Sequence, residues 1–179
     1  MAQLAIDLPA HENQTAFNLE RWAEILNDPF YATLEQRIET DHHGSIITSP
    51  PPSYSHGQKG FRLAKLLEAH FSGGQASLEV PISTSDGVRV ADVAWLSRDQ
   101  LEKARESAVL LEAPAICVEV LSPRNTEREM EDKMALYFDA GATEVWLCEE
   151  DRTLRFFSAV GVEEKASRLA PDFPTTIPE

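Results

Sequence analysis

Cysteine is scarce in this sequence. Cys117 and Cys148 are the only two, and no CxxC pair exists. That excludes a thioredoxin-like redox motif. Both lie in apolar runs, AICVEV and VWLC, and read as buried free thiols in strands. Long hydrophobic runs are missing too. Nothing approaches the roughly 18 apolar residues of a membrane-spanning helix. The start, MAQLAIDLPAHENQ, lacks the basic residues and long apolar stretch of a signal peptide. The chain therefore reads as soluble and cytoplasmic. No P-loop, GxGxxG or GxSxG motif is present, which removes nucleotide-cofactor readings and leaves Ser122 unsupported as a nucleophile. Finally, there is no basic segment. Against 30 Asp and Glu stand 16 Lys and Arg, a net charge of −14, and acid exceeds base in every part of the chain. A protein held on DNA mainly by counterion release shows a basic face, so a strong non-specific nucleic-acid binder is disfavoured. A local basic groove, or metal ions that neutralise phosphate, stay open.

What is present suffices for a core. The 179 residues are 42% hydrophobic and 26% charged, as in globular proteins. A chain of this size buries about 70% of its unfolded surface and needs no disulfide or structural metal. The expected organisation is an N-terminal helical arm over residues 1–34, loose over 1–14, then an α/β domain over 35–160 and an irregular tail over 161–179.

Along the chain, Thr15–Asn27 carries Phe17, Trp22, Ile25 and Leu26 on a helical stripe. Asp28-Pro29 ends it, and a second short helix is expected at Phe30–Leu34. Arg37–Thr40 and Ser45–Thr48 read as two strands around a turn. Tyr54–Phe71 is an amphipathic helix, with Phe61, Ala64, Leu67 and Phe71 as its apolar stripe and Leu63 and Leu66 widening it. Gln75–Ile82 and Arg89–Leu96 form a hairpin about Thr84–Gly87, and residues 98–112 a short helix plus loop. Ala115–Leu121 reads as a strand buried on both faces. Thr126–Ala140 is a helix with a Thr126/Glu129 capping box, and Gly141 ends it. Strands Glu144–Glu149 and Thr153–Ser158 follow. The result is α/β with a mixed sheet. The strand–helix–strand unit from Ala115 to Glu149 predicts parallel strands and a right-handed crossover. The apolar segments VWLC and LRFF are candidates for pairing with another chain.

Two acids interrupt apolar strands: Asp92 in VADVAW and Glu119 in AICVEVL. A buried carboxylate is expensive unless paired or metal-bound. One such acid reads as a strand-end group reaching solvent or an arginine. Two on neighbouring strands supply oxygen ligands for a hard cation such as Mg²⁺ or Mn²⁺. A lysine is the natural third partner, positioning water or stabilising charge on a phosphoryl transition state. Lys133 is the candidate; spacing alone favours reading it as a solvated partner of Glu129. His42-His43 reads as a solvated turn. His56 opens a helix as a polar N-terminal residue whose ordinary pKa of about 6.5 also suits metal binding or proton transfer. Arg124 and Arg128 read as phosphate contacts or surface pairs.

Asp92, then Glu119-Val120-Leu121-Ser122-Pro123, then Lys133 and Tyr137, then Gly141 and Glu144-Val145-Trp146-Leu147 resemble the Uma-two family. Glu39, Gly44, Ser49-Pro50 and His56-Gly57 extend the match over about residues 35–160. These are endonucleases of the PD-(D/E)XK class, so the resemblance implies a restriction-endonuclease-like mixed sheet flanked by helices and metal-dependent hydrolysis of nucleic acid, DNA first. It makes Asp92 and Glu119 the metal ligands, and Lys133 the helix lysine that replaces the strand lysine of the wider class. Glu39 and His56 become polar residues of the same cleft. It further implies a homodimer, since two subunits cut two strands. Ala91 stands where the motif has proline. Leu121 stands where the wider class has lysine, on the same face as Glu119. That loss, with the −14 charge, motivates the alternative of a catalytically inactive binding module with a protein partner.

Overall fold

The structure, a computed structural model, describes residues 11–178; most of the arm expected to be loose, residues 1–10, lies outside the described residues. The helices are α1 (Gln14–Asn27), α2 (Tyr54–His70), α3 (Arg98–Glu106) and α4 (Glu127–Asp139). The strands are β1 (Arg37–Thr40), β2 (Ile46–Ser49), β3 (Gly74–Thr84), β4 (Gly87–Ser97), β5 (Ile116–Val120), β6 (Glu144–Cys148), β7 (Leu154–Ala159) and β8 (Val162–Glu164). The second short helix is only a single 3₁₀ turn, Tyr31–Thr33. None of the described helices is long and apolar enough to cross a membrane.

Six strands form one mixed sheet in the order β3-β4-β5-β6-β7-β8. Only β5 and β6 are parallel, joined across α4; the other neighbours are antiparallel. The segments VWLC and LRFF are not free to pair with another chain. They lie in β6 and β7, each hydrogen-bonded on both sides, because β8 covers the outer edge of β7.

Side-chain alternation in β5 divides the core between two helices. Ile116, Val118 and Val120 face α2 and pack with Leu63, Leu67, Val93 and Trp146. Cys117 faces α4 and packs with Met130, Met134, Tyr137 and Leu147. Both thiols are free and buried. Of the face expected on α2, Leu63 and Leu67 are buried and Ala64, Leu66 and Phe71 pack against the core, whereas Phe61 is 54% exposed. At about 100° per residue, a side chain two positions from Leu63 points to the far side of the helix. On α1, Trp22 and Ile25 are buried and Leu26 faces out.

The segment expected to be an irregular tail contributes β8 and then folds back onto the sheet. Ala170, Phe173 and Ile177 join the α2-side core, with the Phe173 ring 4.6 Å from that of Trp146. Buried Glu144 ties this segment down. Its carboxylate accepts from Trp146 Nε1 at 2.7 Å, Ser167 Oγ at 2.8 Å, Arg168 N at 2.6 Å and Leu169 N at 3.1 Å.

β1 and β2 form a separate two-stranded ribbon laid on β4. Val90 N donates to Glu39 Oε1 at 2.7 Å and Val88 N to Thr40 Oγ1 at 2.9 Å. The approach is closest at Gly87, φ +83°, where a Cβ would fall 2.2 Å from the Thr40 carbonyl oxygen. Only glycine fits there.

Candidate active site

β4 and β5 pair at Val93–Val118, Ala94–Cys117 and Trp95–Ile116. One step further in the same register, Asp92 comes opposite Glu119, where the ladder has ended. The parted strands open a cleft of about 1230 Å³, walled by the ribbon, the start of α2 and the start of α4. Asp92 Oδ2 takes up the freed backbone, accepting from Val120 N at 2.6 Å.

Glu119 reaches toward α4. The Thr126/Glu129 capping box forms as expected and starts this helix. Lys133 and Tyr137, four residues apart, share one of its faces. Tyr137 Oη donates to Glu119 Oε1 at 2.7 Å and Lys133 Nζ to Glu119 Oε2 at 3.0 Å. Lys133 also reaches Glu39 Oε1 at 2.9 Å and the Val90 carbonyl at 3.0 Å. Its three N–H donors are thereby all used. His56 enters from the first turn of α2, capped by Ser53 Oγ, and its Nε2 lies 3.4 Å from Asp92 Oδ1. Glu39, His56, Asp92, Glu119 and Lys133 therefore line one cleft.

Two further charged groups belong to the site. Arg37 precedes Glu39 by two on β1, so the strand period places both on one face. Its guanidinium pairs with Asp92 Oδ1 and, at 2.6 Å, with Glu79 Oε1. Glu79 lies opposite Asp92 in the β3–β4 hairpin, between the pairs Leu78–Val93 and Val80–Ala91. Counting back from the Thr84–Gly87 turn locates it. Its φ of 52° is a left-handed conformation that costs a non-glycine residue of order 1 kcal/mol or more. The other candidates stand outside the cluster of acids and Lys133. His42 Nδ1 contacts Asp86 at 2.6 Å in its turn, Ser122 Oγ donates to Asn125, and exposed Arg128 lies 3.9 Å from Asp132. Arg124 stands at the cleft rim.

The electrostatics set the two strand acids apart. Burial works against charge on Asp92, but His56, Arg37 and Lys133 outweigh it and hold the carboxyl at about 2. Burial dominates at Glu119, and the nearby Asp92 and Glu39 add to it; Lys133 offsets only part, and the carboxyl is pushed up to about 7. Lys133 itself is held charged, because Glu119, Glu39 and Asp92 outweigh its burial. The donor set suits a hard divalent cation. Buried Asp92 Oδ1 meets the Arg37 guanidinium as an ion pair but has no well-directed hydrogen bond, and ligating atoms of Asp92, His56 and Glu79 lie within 4.8 Å of one another.

A mixed sheet flanked by helices, with acids where two central strands part, is the restriction-endonuclease-like architecture. The chain belongs to the Uma2 family, whose model, described as "Putative restriction endonuclease", matches residues 22–176. A crystal structure from Anabaena variabilis ATCC 29413, described as "a putative nuclease belonging to DUF820", is similar to it. The two are 18% identical with a TM-score of 0.68, covering 87% of this chain and 93% of that one. No curated protein matches the chain.

Proposed function

We propose that this protein is a divalent-metal-dependent endonuclease that hydrolyses phosphodiester bonds of nucleic acid, DNA in particular. The observation that carries the reading is the Asp92–Glu119 step at the parted strand ends, with Lys133 locked beside it by two carboxylates. Asp92 and Glu119 would hold Mg²⁺ or Mn²⁺; such an ion supplies an acidified water and neutralises charge on the phosphate. The residues of the chain do the rest. Asp92 stays ionised at working pH. Lys133, its donors spoken for, acts through its charge, which Glu39 and Glu119 fix in place. His56, facing Asp92, is the group placed to hand over or take up a proton. Two copies would present two such sites to a duplex.

Calorimetric titration of Mn²⁺ into the wild type and Asp92→Ala, followed by cleavage of plasmid and single-stranded DNA, tests this. Saturable binding lost in the variant, together with cleavage abolished by chelator, supports it. Unchanged metal affinity in Asp92→Ala removes the assignment.

One observation favours a second reading, an inactive binding module. The Arg37 guanidinium already sits against Asp92, where a cation would otherwise neutralise it. A wild type that binds neither Mn²⁺ nor nucleic acid would turn the search toward a protein partner.

A further inference from the structure

Most cations of the cleft are already matched by acids. Arg37 is shared by Glu79 and Asp92, Lys133 by Glu39 and Glu119, and Arg89 is paired with Asp86. Arg124 stands in water at the rim, where a charge attracts little. Lys59 differs from all of these. It lies on α2 one turn beyond His56 and lines the same cleft, only 7% exposed. Its single hydrogen bond runs from Nζ to the Glu149 carbonyl oxygen at 3.1 Å, and it makes no ion pair among the described residues. An ammonium has three donors, so two are uncommitted. Exposed Asp151 feels this charge without forming an ion pair with it, so the buried ammonium is offset only in part and costs stability that a neutral side chain would not.

We infer that Lys59 is the phosphate anchor of the cleft, the residue that takes a backbone phosphate of the nucleic-acid strand while its neighbour on the helix face, His56, looks onto Asp92. The assignment rests on the nuclease reading and deepens it. A chain of net charge −14 needs a place where an anionic polymer gains more than it loses. The other buried cations cannot provide one without abandoning their acids. Lys59 offers its charge and two donors without breaking an ion pair.

The test uses the full chain in chelator, with fluorescence anisotropy of labelled single-stranded and duplex oligonucleotides over a range of salt. Lys59→Gln removes the charge and retains an N–H donor on a side chain one bond shorter. The expected result is affinity weakened about tenfold with a melting temperature no lower than wild type, and a salt slope flatter by about 0.9 on duplex or 0.7 on single strands. Lys59→Arg should restore both. Affinity and slope equal to wild type in Lys59→Gln overturn the inference and leave the nuclease reading standing. A wild type that binds neither oligonucleotide, in chelator or with Ca²⁺ added, overturns both. Should Lys59→Gln fail to fold, the Lys59 Nζ resonance of the unsubstituted protein decides. It shifts on addition of oligonucleotide if the anchor is real, and an unmoved resonance in a protein that binds overturns it.

Discussion

Lys133 Nζ lies 3.0 Å from Glu119 Oε2 although fourteen residues and a turn of chain separate them. The contact spans β5 and α4, so the cation arrives from the helix that crosses between the two parallel strands. Leu121, on Glu119's own strand, cannot supply it.

Replacing Lys133 should be felt in stability as well as rate. Lys133→Met leaves Glu119 and Glu39 buried without their shared cation. Breaking a buried pair from one side costs about 3 kcal/mol or more. Urea unfolding should show that loss, alongside a fall of at least a hundredfold in cleavage. A variant as stable as wild type would show that Lys133 is not the cation holding these acids.

The raised carboxyl of Glu119 gives a pH signature. Its folded value, about 7, exceeds the unfolded 4.5. Proton uptake therefore stabilises the fold fully below about 4.5, and that contribution is lost as pH rises through 7. Asp92 works in the opposite sense, stabilising above 3.8 and losing that only as pH falls through about 2. Calorimetric melting of wild type and Glu119→Gln should accordingly diverge between pH 5 and 7, with the glutamine variant gaining at the higher pH. Parallel curves across that window would sink the assignment.

Arg37 should compete with a metal ion for Asp92. In Arg37→Ala the carboxylate loses its guanidinium. Mn²⁺ affinity, read by calorimetry, should tighten by about tenfold, equivalent to roughly 1.4 kcal/mol. Weaker binding would instead mean that Arg37 holds Asp92 in its ligating position.

Glu144 should matter for folding alone. It sits at the far end of β6 from the cleft, and Glu144→Ala strands Trp146 Nε1, Ser167 Oγ and two backbone N–H groups. A loss of about 3 kcal/mol is expected, with Mn²⁺ affinity untouched in the protein that remains folded.

How much of this was legible in the sequence follows from how local each signal is. The Thr126 capping box, the Gly141 stop and the apolar AICVEV and VWLC runs are short-range patterns, and the structure has the elements they predict. So too for Asp92 and Glu119, whose oddity is that they interrupt such runs. Glu79 and Arg37 carry no local oddity. Arg37 sits in a polar stretch and Glu79 in a strand of alternating character, and each becomes part of the site only through strand register, two residues from Glu39 in one case and opposite Asp92 in the other. Phe61 was misleading because a wide apolar helix face admits more than one stripe, and the sheet chooses Leu63 and Leu67. The burial of Phe173 and Ile177 was hidden by the prolines around them, which mark irregular backbone without saying where it packs.

The ribbon of β1 and β2 has a consequence for motion. Two strands alone are marginal in water, and this pair holds to the sheet through side-chain bonds around Arg37, Glu39, Thr40 and His42 and the packing of Ile38 and Ile46 beside Val88 and Val90. Its amides should exchange with deuterium well before those of β5 and β6. Whenever it lifts, Arg37 leaves Asp92 and Glu39 leaves Lys133 together, so one wall of the cleft sets the charge of both strand acids each time it breathes.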